Sequence, residues 1–190
     1  FSSVVPDVFK IIKRFIKKKF KLEVKELKQI NLKKILTVDV NMKQVGSDRL
    51  ANAISLINGK DNFIILDFGT ATTFDVVLKN RYKGGIIAPG VNLSLKTLVE
   101  KAKLIPNTRL TKIKDIIGKN TQNAVRSGFY WGYQGLIENI INLIKRKNKK
   151  NFKIIFTGGL SHLYKDSLKN KIKVDRDLTI KGLLRLIDLI

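Results

Sequence analysis

The chain has 190 residues, 44% of them hydrophobic and 28% charged, enough for one compact domain or two small ones. No apolar run approaches the ~18 residues that a membrane span needs. With no cysteine and one histidine, His162, the sequence excludes disulfides, thiol catalysis, Cys-ligated zinc and an all-histidine metal site within one chain.

Thirty-eight Lys and Arg against fifteen Asp and Glu leave a net charge of +23. A polyanion partner is one reading of that excess, and residues 10–34, with eleven cations against two acids, would be its focus. However, thirty of the cations are Lys, set among much Ile and Asn as an AT-rich genome would write them. Nucleic-acid grooves also recruit Arg and stacking aromatics. We therefore assign the excess to background composition and expect no nucleic-acid partner, no membrane and a cytoplasmic α/β protein.

Ser2-Ser3-Val4-Val5-Pro6-Asp7 reads as a strand running out into a helix, with Pro6 and Asp7 suited to a helix start. Val8, Ile11, Ile12, Phe15 and Ile16 recur at helical spacing among Lys and Arg, the pattern of a solvated lid over a core. A short strand is expected at Ile35-Leu36-Thr37-Val38. Gly46-Ser47-Asp48-Arg49 opens the next helix, whose buried face is Leu50, Ala53, Ile54 and Ile57 and whose stop is Gly59. Phe63-Ile64-Ile65-Leu66 is a buried strand ending in Asp67-Phe68-Gly69-Thr70, and Thr73-Phe74-Asp75-Val76-Val77-Leu78 is its hairpin partner.

Gly84-Gly85-Ile86-Ile87-Ala88-Pro89-Gly90 forms another strand and loop. The helix after it turns Leu95, Leu98, Val99 and Ala102 inward. The longest helical pattern runs from Thr121 to about Lys147, with Gly128, Gly132 and Gly135 giving it a smooth face. Strand Phe152-Lys153-Ile154-Ile155-Phe156-Thr157, a Gly158-Gly159 loop, a helix and a terminal helix from about Thr179 complete the chain. The best domain boundary lies between Gly59 and Asn62, dividing residues 1–60 from 61–190.

Asp67-Phe68-Gly69-Thr70-Ala71-Thr72-Thr73 is the strongest chemical constellation. A strand delivers a carboxylate to its end, glycine lets the backbone turn close to a ligand, and hydroxyls and amides then face one point. Such a turn can receive phosphate oxygens while the carboxylate holds a cation. Gly46-Ser47-Asp48-Arg49 places a carboxylate and a guanidinium in the first turn of a helix, where free N–H groups favour an anion. Arg49 could fork onto a substrate carboxylate with Asp48 beside it as a base; an ordinary helix cap explains Ser47-Asp48 equally well. His162 reads as a surface or packing residue, and Tyr130, Trp131 and Tyr133 read as core or dimer contacts.

These motifs carry a resemblance. Ser2-Ser3-Val4-Val5-Pro6, Gly46 to Arg49, Asp67 to Asp75, Gly84 to Gly90, Gly118-Lys119-Asn120-Thr121, Ser127-Gly128, Thr157-Gly158-Gly159 and Leu178 to Leu183 occur in the order found in type III pantothenate kinases. The chain resembles that family over essentially its whole length. The resemblance implies the actin-like ATPase fold, with two ribonuclease-H-like domains built of mixed sheets flanked by helices. It implies transfer of the γ-phosphoryl group of ATP, with Mg2+, to pantothenate in coenzyme A synthesis. By the same resemblance Asp48 is the proton acceptor. Gly46, Ser47, Asp48 and Arg49 contact pantothenate, together with Thr121 from a partner subunit of a homodimer. Gly69, Thr70, Gly158 and Gly159 belong to the nucleotide site, and Asp67 is the ligand of a monovalent cation, potassium or ammonium.

Two departures from the family stand out. Its opening Asp-x-Gly-Asn-Thr phosphate loop is missing ahead of Phe1, so the first domain is expected to be incomplete and the 190-residue chain alone incompetent as a kinase. Its Tyr-x-Asn-Pro reads Asp39-Val40-Asn41-Met42 here, which puts a carboxylate where an aromatic wall is expected and should weaken binding of an anion. A non-catalytic or regulatory relative of the same fold, acting as a binding module, is the competing expectation.

Overall fold

The computed structural model describes Ser2, residues 6–169 and residues 171–189. The strand exit expected at Ser3, Val4 and Val5 lies outside the described residues. Helix α1 (Pro6–Phe20) has Asp7 in its first turn and Lys17, Lys18 and Lys19 in its last, the charge order a helix dipole favours. Its apolar stripe is largely open: Ile11 is 66% and Phe15 56% exposed, with only Ile12 and Ile16 half-buried. The expected lid is thus only partly seated.

The strand expected at residues 35–38 shrinks to β1 (Thr37–Val38). A 3-10 turn at Leu32–Lys34 is capped by the Asn31 side chain, which accepts from the Lys33 amide. The Ile35 and Leu36 amides then donate back to the Leu32 carbonyl, so they are unavailable to a strand ladder. Helix α2 (Ser47–Leu56) buries Leu50, Ala53 and Ile54 as its periodicity requires, and Ile57 follows them into the core.

Strands β2 (Asn62–Phe68), β3 (Ala71–Leu78) and β4 (Arg81–Pro89) are joined by two-residue links, which only antiparallel neighbours permit. Helices α3 (Val91–Lys101) and α4 (Thr121–Asn148) follow, then β5 (Lys153–Gly158), the single turn α5 (Ser161–Tyr164), β6 (Ile172–Val174) and α6 (Leu178–Leu189). The strands form one mixed sheet in the order β1-β4-β3-β2-β5-β6. Strand β1 lies parallel to β4 with Thr37 opposite Arg81 and Val38 opposite Tyr82, and β6, which no sequence pattern announced, lies parallel to β5.

Packing divides the chain into two compact units. One gathers residues up to 63 with residues 75–84 and 177 onward; the other comprises residues 64–74 and 85–176. In the first, α6 packs against α2 at Gly182, where an added β-carbon would collide with the Ala51 carbonyl. Thr179 donates to Asn52 Oδ1 at 2.7 Å, and Arg185 donates to the carbonyls of Ile54 and Ser55, satisfying the open C-terminal end of α2. In the second unit, Phe68 meets Phe156 edge-on at 5.1 Å and stacks on Tyr164, which stacks in turn on Tyr130. Tyr133 ties α4 to α3 through a 2.8 Å bond to Ser94. Leu98 of α3, expected inside, is 37% exposed and faces an open groove.

Candidate active site

In the first unit a 3-10 turn (Met42–Gln44) leads to Gly46, the N-cap of α2, which makes no side-chain capping bond. Ser47 is buried and donates to Glu26 Oε1 at 3.3 Å, so its hydroxyl serves tertiary packing. Asp48 is half-buried in the first helical turn, with Oδ1 accepting from the Arg49 amide at 2.8 Å.

The Arg49 side chain turns to β3. Its Nε and Nη2 lie 2.8 and 2.7 Å from Asp75 Oδ1, and the Tyr82 hydroxyl donates to the same oxygen at 2.5 Å. Asp75 and Tyr82 are fully buried. Burial pushes the Asp75 carboxyl up from its ordinary range, against the pull of Arg49 and Tyr82. Burial also works against the Arg49 charge, but the Asp75 bond and charge outweigh it and hold the guanidinium above its usual value. Burial, followed by the Asp75 charge, pushes the Tyr82 phenol up, so it stays a donor.

Asp39, at the end of β1, accepts from Arg81 Nη2 at 2.8 Å and from Lys83 at 2.5 Å. Lys83, and then Arg81, hold its carboxyl below the usual range. Its charge is matched twice over by its own neighbours, so the local balance around this departure from the family pattern is positive.

In the second unit Asp67 stands half-buried near the end of β2. The Gly69 amide donates to the Ala71 carbonyl and the Gly159 amide to the Phe68 carbonyl, so both glycine amides hold their loops closed. Gly158 has φ +83°, and a β-carbon there would meet Asp67 Oδ1 and the Phe68 amide nitrogen. Gly69, Thr70 and Gly159 line one cavity of about 470 Å³ with Asn92 and Lys96 of α3. A hydroxyl, an amide side chain and an ammonium around a glycine-walled space fit the phosphates of a nucleotide. Thr121 opens α4 behind its Asn120 cap, exposed at the surface. It lines a different and mainly apolar groove, of about 600 Å³, with Leu98, Gly128, Phe129, Gly132 and Tyr133. His162 is exposed beside Arg176, and Tyr130 is core.

Sequence reasoning passed over Asp75, Tyr82, Asn92 and Lys96. For Asp75 the signal was present: a lone carboxylate in the apolar run Phe74-Asp75-Val76-Val77 demands a buried cation or donor.

Residues 1–143 match the family model of type III pantothenate kinase. The type III pantothenate kinase of Pelagibacter ubique is 60% identical over all 190 residues, which span 77% of its length.

The chain belongs to the type III pantothenate kinase family.

The homologues support phosphorylation of pantothenate in coenzyme A biosynthesis as the function, and they make the protein a kinase. The type III pantothenate kinase of Cereibacter sphaeroides is 46% identical over 144 residues, which span 55% of its length. A solved structure from Campylobacter jejuni, of a protein assigned to the Baf family of transcriptional activators, is 21% identical and matches with a TM-score of 0.64 over 94% of this chain and 78% of its own. One from Sinorhizobium meliloti, assigned as a 2-dehydro-3-deoxygalactonokinase, is 9% identical with a TM-score of 0.54 over 75% of this chain and 57% of its own. These two likenesses concern fold. The fold is α/β, of the actin-like ATPase and sugar kinase type, as expected. Kinase membership implies ATP and a divalent metal. Among the described residues no helix is long and apolar enough to cross a membrane.

Proposed function

We propose that Asp48 is the proton acceptor for the pantothenate hydroxyl and that Gly46, Ser47 and Arg49 bind the same substrate. The observation that carries this reading is the pairing of a half-buried carboxylate with an anchored guanidinium in one helical turn. The hydroxyl oxygen attacks the γ-phosphorus as its proton passes to Asp48, ADP leaves, and Asp48 returns the proton to water. Bound ATP with Mg2+ supplies the phosphoryl group and neutralises the charge on the transferred oxygens. Arg49 meets the substrate carboxylate, and the positive balance around Asp39 leaves an anion acceptable in this unit.

Thr70, Gly69, Gly158 and Gly159 form the nucleotide side in this reading, and Asp67 holds potassium or ammonium. The wall that Gly158 forms against Asp67 supports that placement. A homodimer is supported by the apolar groove on which Thr121 sits, which suits a second copy bringing Thr121 as a pantothenate contact. The reaction's need for ATP supports a cytoplasmic location. Residues 1–60 and 61–190 are proposed as the two ribonuclease-H-like halves by ancestry, whereas the compact units describe packing.

The test is pantothenate-dependent ADP release by the complete gene product with magnesium-ATP in potassium. Loss of release in sodium and on Asp48→Asn is expected. Undiminished release by Asp48→Asn would remove Asp48 as the base, and equal rates in sodium would remove the specific cation.

A further inference from the structure

We propose that Asp75 and Tyr82 are positioning residues that fix the Arg49 guanidinium for an anionic substrate and keep it off the neighbouring carboxylate of Asp48. The proposal rests on the reading of Arg49 as the contact for the pantothenate carboxylate. An arginine side chain carries a large rotamer entropy, which an unanchored guanidinium would lose on every binding event. Here that entropy is already lost. Both Nε and Nη2 meet a single oxygen, Asp75 Oδ1, so one edge of the guanidinium fork is committed to β3, and 12% of the side chain stays exposed. Tyr82 locks the same oxygen from β4.

Folding alone does not ask for this arrangement. Asp75 stands among Phe74, Val76 and Val77, all buried. A well-packed apolar pair commonly serves a core as well as a buried ion pair does, whereas a buried charge without its partner is costly. The triad therefore carries a cost that a purely structural position would avoid. Its geometric product is an arginine that cannot swing. Asp48, one residue away, is a second carboxylate whose charge acts on that guanidinium. Its only hydrogen bond to this chain among the described residues is with the Arg49 backbone amide. Asp75 thus takes up the arginine charge and leaves the Asp48 carboxylate to the substrate hydroxyl.

A double-mutant cycle on the complete enzyme tests this. Arg49→Gln should raise KM for pantothenate and leave KM for ATP unchanged. Asp75→Asn should raise KM for pantothenate by about 10-fold or more with kcat changed by less than about 3-fold, and in the Arg49→Gln background it should add less than about 2-fold. Tyr82→Phe, which removes one hydroxyl and leaves the ion pair, should show the same pattern at about 2–5-fold. It stands in for Asp75→Asn through the whole cycle if that variant does not fold. If Arg49→Gln leaves pantothenate KM unchanged, the reading of Arg49 fails. If Arg49→Gln raises it but Asp75→Asn or Tyr82→Phe does not, or adds its full effect to Arg49→Gln, the positioning role fails while the reading of Arg49 stands.

Discussion

Gly158 stands directly against the carboxylate of Asp67: a β-carbon built on it would lie 2.6 Å from Oδ1 and 2.6 Å from the Phe68 amide nitrogen. Its φ of +83° adds a second reason for glycine. Gly158→Ala should cost about 1–2 kcal/mol for the left-handed backbone and about 1–3 kcal/mol for the overpacking. Denaturant unfolding measures that sum, and ATP titration should show weakened binding as Asp67 is pushed aside. A variant as stable as the parent would mean that the β5 loop yields freely.

Lys96 shares the cavity of Thr70 and Gly159 and, among the described residues, has only a solvated Glu100, at 3.7 Å, as its ion-pair partner. Such a pair is worth little and exchanges readily for a phosphate. Lys96→Gln should raise KM for ATP about 10-fold or more, the worth of one charge-assisted hydrogen bond, and leave KM for pantothenate unchanged. Lys96→Arg should keep most of the affinity. An unaltered KM for ATP in Lys96→Gln would remove the lysine from the nucleotide site.

Asp39 supplies the pH dependence. Its carboxyl titrates below the usual range because Lys83 and Arg81 favour the charged form. The stabilisation is therefore present above the unfolded value of about 4 and is lost as pH falls through the lower folded value. Asp39→Asn should be less stable than the parent at neutrality, and the two urea curves should converge in acid. Salt should shrink the neutral-pH difference, since Arg81 and Lys83 are open to solvent. A constant difference down through the acid range would assign the loss to packing instead.

Gly182 sets two effects against each other. Alanine in a helix interior gains roughly 0.5–1 kcal/mol over glycine. Here its β-carbon would lie 2.6 Å from the Ala51 carbonyl carbon, and overpacking costs about 1–3 kcal/mol. The clash wins, so Gly182→Ala should lower the unfolding midpoint. A raised midpoint would show that α6 can step back from α2 without penalty.

The chain pattern made α2 legible because it buries one face with a clear period, and β2 because it is a short continuous apolar run. Leu50, Ala53, Ile54 and Ile57 are all buried. The pattern failed where backbone chemistry overrode propensity, as at Ile35 and Leu36, whose amides return to Leu32. It also failed at β6, where Ile172-Lys173-Val174 is too short to carry a period. Of the candidate site, the motifs singled out Asp48, Arg49, Asp67 and Thr70, since glycine and hydroxyl spacing marks a turn. The Arg49–Asp75–Tyr82 triad joins three elements distant in sequence, and local spacing does not encode such a meeting. The partners of Asp39 were hidden for the same reason: Arg81 and Lys83 sit on a strand some forty residues away.

The first compact unit draws its final piece, α6, from the last stretch of the chain, after residues 85–176 have gone into the other unit. On a ribosome adding about 5–20 residues per second, the α2 surface that α6 covers waits roughly 5–20 seconds for its partner. Ala51, which packs against Gly182, is covered only after residues 85–176 have been made, so the unit bearing Asp48 and Arg49 closes after the other has been synthesised. Chaperone capture and proteolytic triage of the newborn protein should therefore fall on this unit.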